Sequence, residues 1–449
     1  MAVKRVTRLF AVALLAASVP AGLLHADPDR LAANATQYDL EYPVIDYSGP
    51  ARENPIWRLQ QQISSGKVKL TWEPKQGYLR SVLQALDINT DSQVLVYSKT
   101  SLQTEWIAAQ TPRAIYFDDS AYIGWIPGAP LLELLAIDSR LGTVFYTLDN
   151  RRPGATQFER DGGQCLTCHD TFSMGGGGVP RVLVMSAPVD DPSDPRTLDS
   201  ASEINDRTPI AERWGGWYVT GRQGRQTHLG NMPLREGKDA SLLRTLPRAD
   251  RETLKGYFDT DAFITDKSDI TALLVLEHQT TIHNLIIRVN YKVSTIMARK
   301  GSSAITPPRT WADVNPNDQA TVRLMIEPLV RALFFEDAAR LADRIESSSG
   351  FAARFSALGP HDGQGRSLRE LDLRTRVFRY PLSFMVYTDG FEGLPAYARD
   401  YVEMRIAEIL QGRDKSGISA RIPEADRVAV AQILAATKPR YAKLLSSTR

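Results

Sequence analysis

The chain has 449 residues, 43% hydrophobic and 24% charged, with a formal net charge of +2. That is ample material for one core or two joined ones. So balanced a charge excludes a nucleic-acid binder resting on a basic surface. In chain order, residues 1–26 read as a secretory signal. Lys4, Arg5 and Arg8 form its basic start, Leu9 to Ala17 its apolar centre, and Ala21 and Ala26 offer cleavage points, of which Ala26 fits better. The apolar stretch is too short to span about 30 Å of hydrocarbon, and no cysteine follows it to carry a lipid. Without these residues the chain is near neutral, exported, and not an integral membrane protein.

Residues 27–155 form a β-rich part. Asp27 to Glu73 is turn-rich, with Asp46-Tyr-Ser-Gly-Pro and Glu53-Asn-Pro as breakers. Lys67 to Trp72 alternates like a strand, and Tyr78 to Leu86 fits one short helix. From Gln93 to Leu148, aromatic and β-branched runs are divided by turn residues: Val94–Tyr97, Ala114–Phe117, Ala121–Ile126, Leu131–Ile137 and Gly142–Leu148. They predict a small antiparallel sheet.

Cys165-Leu166-Thr167-Cys168-His169 follows, holding the only two cysteines. Two thiols three positions apart can reach two vinyl groups on one side of a porphyrin. The histidine directly after them falls beneath the iron. A dithiol redox pair needs a strand before it and a helix opening at the first thiol, whereas a glycine-containing loop precedes this one. A zinc site wants four ligands, and there is no second pair. A plain disulfide leaves His169 unexplained. On these five residues the chain resembles the c-type cytochromes.

Residues 156–265 make up the haem-binding segment. Gly175 to Gly178 reads equally as a flexible loop or as backbone at a haem edge, and Val179 to Met185 as a strand. In Glu212 to Met232, Trp214 and Trp217 flank a glycine pair and could wall a flat cofactor. Arg213, Arg222 or Arg225 could neutralise its propionates; the alternative is a twisted hairpin with aromatic core contacts. Together with the pentapeptide, this stretch is similar to secreted bacterial monohaem proteins described as cytochrome c domain-containing, whose activity is unassigned.

Residues 266–449 are helical. A helix capped by Asp266 or Ser268 runs to about Arg299, with an apolar stripe through Ile270, Leu274, His278, Leu285, Val289 and Ile296. Glu277-His278-Gln279 interrupts its apolar start and needs partners, because buried polar groups are costly unpaired. Either it ties helices together or it serves a haem or substrate. His283 lies five residues beyond His278, about 140° round the helix, so the two do not share one metal. A helix over Asn317 to Ile345 buries Leu324, Leu329, Leu333 and Leu341 and exposes Arg340 and Arg344. His361 sits in an exposed linker. Tyr380 to Tyr387 is buried, and helices near Pro395–Leu410 and Pro423–Leu444 end the chain.

The expectation is an α+β protein of the periplasm with one covalent haem c, bound through Cys165, Cys168 and His169. Candidates for the sixth iron position are His228, Met232, His278, His283, Met174 and Met385. His228, on a loop beside Gly230, ranks first, His278 second and an open site third. The haem passes electrons to a periplasmic redox partner. The alternatives are a haem oxidoreductase acting on a small molecule, with Glu277 and His278 as acid–base groups, or a haem-based sensor.

Overall fold

The alternating runs form the sheet expected of them. In the computed structural model, which describes residues 40, 42–154, 156–170, 178–187, 201–231, 250–299 and 308–446, β1 (Val94–Val96), β2 (Arg113–Phe117), β3 (Ala121–Trp125), β4 (Leu131–Asp138) and β5 (Gly142–Asp149) pair antiparallel in sequence order. β6 (Glu159–Arg160) adds to β5. β7 (Met185–Ser186) and β8 (Ser202–Glu203) form a separate pair, and β9 (Trp217–Tyr218) returns to lie beside β1. The large sheet has seven strands in the order β6-β5-β4-β3-β2-β1-β9. The chain is α+β, since its second half is mostly helical. The signal stretch, Met174, Met232 and Gly175 to Gly177 lie outside the described residues.

The two faces of the sheet differ. Tyr116, Ile123, Trp125, Leu132, Val144 and Leu148 point to a sealed side. There Asn54, capping the helix Pro55–Ser64, reaches the Tyr146 hydroxyl. On the other side the central helix, Ile270–Arg299, lies across one end, where Gln279 donates to the Tyr122 hydroxyl at 2.8 Å. At the other end of that face, Ile115, Gly124, Glu133 and Thr147 form one cross-strand row. Its three side chains are only partly covered.

Several local expectations change. Lys67 to Trp72 is no strand: its groups bond to side chains and loops, as Thr71 N–H to Ser81 Oγ and Trp72 Nε1–H to the Asn150 carbonyl. Asn54-Pro55, read as a breaker, starts a helix, with Asn54 accepting from Trp57 N–H and proline at the first helical position. The central helix is capped by Asp269, whose Oδ1 accepts the N–H groups of Thr271 and Ala272. Val179 to Met185 shrinks to the β7 pair at its end. The helix over 317–345 stops at Leu333, and Leu324 on it is 71% exposed. Past that end, Phe335 and Asp337 take left-handed φ angles of 55° and 66°. Among the described residues the main hydrophobic cluster runs from Ile45 to Tyr441 and draws on all three stretches, 27–155, 156–265 and 266–449. No helix among the described residues is long and apolar enough to cross a membrane.

His283 ties the central helix to the β2–β3 turn by donating Nε2–H to the Asp119 carbonyl at 2.9 Å. Burial holds its pKa down at about 4, against about 6.5 in an unfolded chain. As pH falls below 6.5 the unfolded chain takes up a proton that the folded one refuses, so this group removes stability down to pH 4. Asp118, pushed up to about 6 by burial, acts the other way, since the folded chain protonates it first. His283→Gln keeps a donor for Asp119 and removes only the first effect. Between pH 7 and pH 5 the variant is expected to lose about 2 kcal/mol less unfolding free energy than the parent. Parallel urea melts at the two pH values measure this, and equal losses would refute it.

Candidate functional site

Asp161, just after β6, fixes the start of the pentapeptide. Its Oδ2 accepts Gly163 N–H at 2.8 Å and Cys165 N–H at 3.0 Å. Residues Leu166–His169 then make one helical turn, closed by His169 N–H to the Cys165 carbonyl at 3.0 Å. Positions three apart share a helix face, so both thiols lie on one side of this turn. No disulfide joins them; Cys165 is half-buried and Cys168 exposed.

His169 is held from both ends by one residue. Its carbonyl accepts Arg181 N–H at 3.0 Å, and its ring Nδ1–H donates to the Arg181 carbonyl at 2.7 Å. That bond fixes the tautomer and leaves the lone pair on Nε2, as in histidines that ligate metals. The ring rests on Phe145 of β5 at 4.7 Å. Burial lowers its pKa to about 4, so the imidazole is neutral at physiological pH. The Cys165 thiol is pushed up to about 12 by burial, with Asp161 adding to the effect. Dithiol oxidoreductases lower this value to obtain a thiolate.

Arg113 and Glu133 act electrostatically on both Cys165 and His169. They pair at 2.8 Å across Gly124, where an added Cβ would meet the Arg113 guanidinium at 2.7 Å. The pentapeptide therefore adjoins the open end of the sheet. Arg181, 5% exposed, pairs with Glu203 of β8 at 2.8 Å. Sequence reasoning missed Arg113, Gly124, Glu133 and Arg181. Only the strand register brings the first three together.

The other candidates lie elsewhere. His228 is buried against Trp214; its Nδ1 accepts Gly230 N–H at 3.0 Å and its Nε2 faces Gln223 Oε1 at 3.4 Å. Both ring nitrogens of this loop histidine, expected to meet iron, have protein partners here. His278 donates Nδ1–H to Asp206 at 2.9 Å and takes the Ser383 hydroxyl on Nε2 at 2.7 Å. Glu277 is sealed, accepting Arg213 Nη1–H and Trp214 Nε1–H at 2.5 Å each. Burial pushes its pKa up while both donors pull it down, and two N–H donors suit the ionised carboxylate. The triplet thus ties elements together. Arg222 and Arg225 pair with carboxylates, and Trp217 donates to the Met185 carbonyl. The stretch has the aromatic core contacts of the second alternative but, among its described residues, no hairpin of its own: its bridges run to β1, Arg251, Asp269 and Glu346. Met385 is buried, while Met174 and Met232 lie outside the described residues.

Among the described residues, no three His, Cys, Asp or Glu side chains converge where they could hold a bare metal ion. A haem brings four nitrogens of its own and asks of the protein only an axial ligand and two thiols. The residues at 165–169 fit that demand. No protein-family model, curated protein or solved structure matches the chain.

Proposed function

We propose that the protein is a periplasmic monohaem c-type cytochrome that exchanges electrons with a redox partner. Its haem is joined to Cys165 and Cys168 and its iron held by His169. The observation that carries this is the double hydrogen bond between His169 and Arg181, which holds the imidazole next to Cys168 in sequence and leaves Nε2 with no hydrogen bond among the described residues. Bound haem c supplies an iron that gains and loses one electron. The protein supplies the rest. Phe145 and the Arg181 carbonyl hold the imidazole rigid, and the partly covered row at Ile115, Glu133 and Thr147 lies near the place where the group would bind.

A second reading, haem chemistry at an open or weakly held sixth position, draws support from the engagement of His228, His278 and His283 by protein groups. Glu277 and His278 do not join it as acid–base groups, because their partners are Arg213, Trp214, Asp206 and Ser383. The protein expressed with a haem-maturation system should keep its haem through denaturing electrophoresis and give a c-type pyridine haemochrome. Freely extractable haem would refute the proposal. Cyanide should bind readily, and His228→Ala should leave the spectrum unchanged. A low-spin spectrum that turns high-spin in that variant would restore His228 as a ligand.

A further inference from the structure

A cavity of about 590 Å³ opens in the helical half of the chain, with Asp206 and His278 among its lining. Such a volume suits a small molecule. Three segments far apart in sequence meet at His278, two of them reaching the cavity wall. Asp206 comes from the loop after β8, His278 from the central helix, and Ser383 from the cap of the short helix Phe384–Tyr387. The Ser383 hydroxyl also accepts Met385 N–H at 3.1 Å, which turns its own proton toward His278 Nε2. The imidazole therefore carries its proton on Nδ1 and gives it to Asp206 Oδ2. The other carboxylate oxygen, Oδ1, accepts no hydrogen bond among the described residues. Ser383 itself is fully buried and behind His278, so it orients rather than attacks.

A second observation concerns the wall. Phe335 lies at φ 55° and Asp337 at φ 66°, a region that bulky side chains rarely enter and that clusters at binding sites. The strained backbone lays the Phe335 ring on His278 at 4.7 Å and stacks it on Phe378 at 5.1 Å. The lining also balances four carboxylates with four arginines, so no net field favours a charged guest.

We propose that this cavity binds a small neutral aromatic molecule bearing a hydroxyl, with the hydroxyl donating to Asp206 Oδ1 and the ring lying against Phe335 and Phe378. Asp206 is the contact; His278 and Ser383 are positioning residues. The site is separate from residues 165–169, and its test does not depend on the haem.

Calorimetric titration of the purified full chain with p-cresol, toluene and benzylamine tests it. p-Cresol should bind saturably at millimolar concentration or below, at least about tenfold more tightly than toluene or benzylamine. Asp206→Asn should erase most of the preference over toluene. Ser383→Ala should weaken p-cresol several-fold with toluene unmoved, and Ser383→Thr should restore it. A merely structural loss would lower both ligands together and overturn the positioning role. Should Asp206→Asn lack a cooperative melt, Ala338→Trp decides, since Ala338 lies on the wall outside the network. That variant should melt like the parent and bind no p-cresol. Unchanged binding in it, toluene or benzylamine binding as well as p-cresol, or no p-cresol binding by the parent would each overturn the proposal.

Discussion

Alanine in place of His169 is expected to cut the yield of mature haem protein by at least about tenfold, and to change the spectrum of whatever survives. The tenfold scale is what loss of a group merely orienting a metal ligand commonly costs; His169 is proposed as the ligand itself. The Arg181 carbonyl at 2.7 Å and the Phe145 ring at 4.7 Å would remain as an imidazole-shaped hole. Added imidazole should enter it and restore the parent spectrum. An unaltered spectrum in His169→Ala, without imidazole, would mean that some other group holds the iron. The same experiment separates haem attachment from dithiol redox chemistry, which keeps its thiols and its activity without this histidine.

The second large effect lies in the interior of the helical half. Glu277→Ala should lower the unfolding free energy by about 3–5 kcal/mol, because it strands Arg213, whose side chain is 3% exposed. Trp214 would lose its acceptor too. Against a typical total of about 5–15 kcal/mol, that is enough to leave the variant barely folded. Arg213→Met combined with Glu277→Leu should recover much of the loss, since an apolar pair leaves no buried charge alone. Urea denaturation of the single and double variants measures both. A loss below about 1 kcal/mol for Glu277→Ala would show that water or a rearrangement reaches Arg213.

What could be read from the residues followed period and spacing. The strands from Val94 to Leu148 were legible because apolar side chains repeat and turn residues divide them; the pentapeptide stands out because its residue spacing is local, and its haem chemistry is what the proposal puts to the test. Three kinds of feature were not legible. Asn54-Pro55 serves equally as a breaker and as a helix start, and only the downstream packing of Ile56 and Leu59 decides. Trp214 and Trp217 suit a cofactor wall as well as a core, until Glu277 and the Met185 carbonyl take their N–H groups. Arg113, Gly124 and Glu133 meet only through strand register, which no spacing along the chain encodes. The triplet Glu277-His278-Gln279 lay between: its need for partners was plain, their identities were not.

Gly216 sits at φ +82° between the two tryptophans, and its carbonyl accepts the N–H groups of Tyr97 and Ser98. A Cβ there would lie 2.6 Å from the Ser98 Cβ and 2.7 Å from the Ala187 carbonyl oxygen. This is how β9 closes against β1, with Trp217 opposite Val96. The pentapeptide lies between these partners in sequence, so on the proposed reading of an exported chain it would emerge before β9 does. Such long-range pairings form late. On the proposed reading, the attachment machinery meets an unfinished sheet, whose thiols are still reachable and whose partly covered row has not yet lost its freedom. Maturation then has a time window, set by how fast residues 170–218 emerge. A variant that slows docking of β9, such as Gly216→Val, should lengthen that window even as it weakens the finished fold.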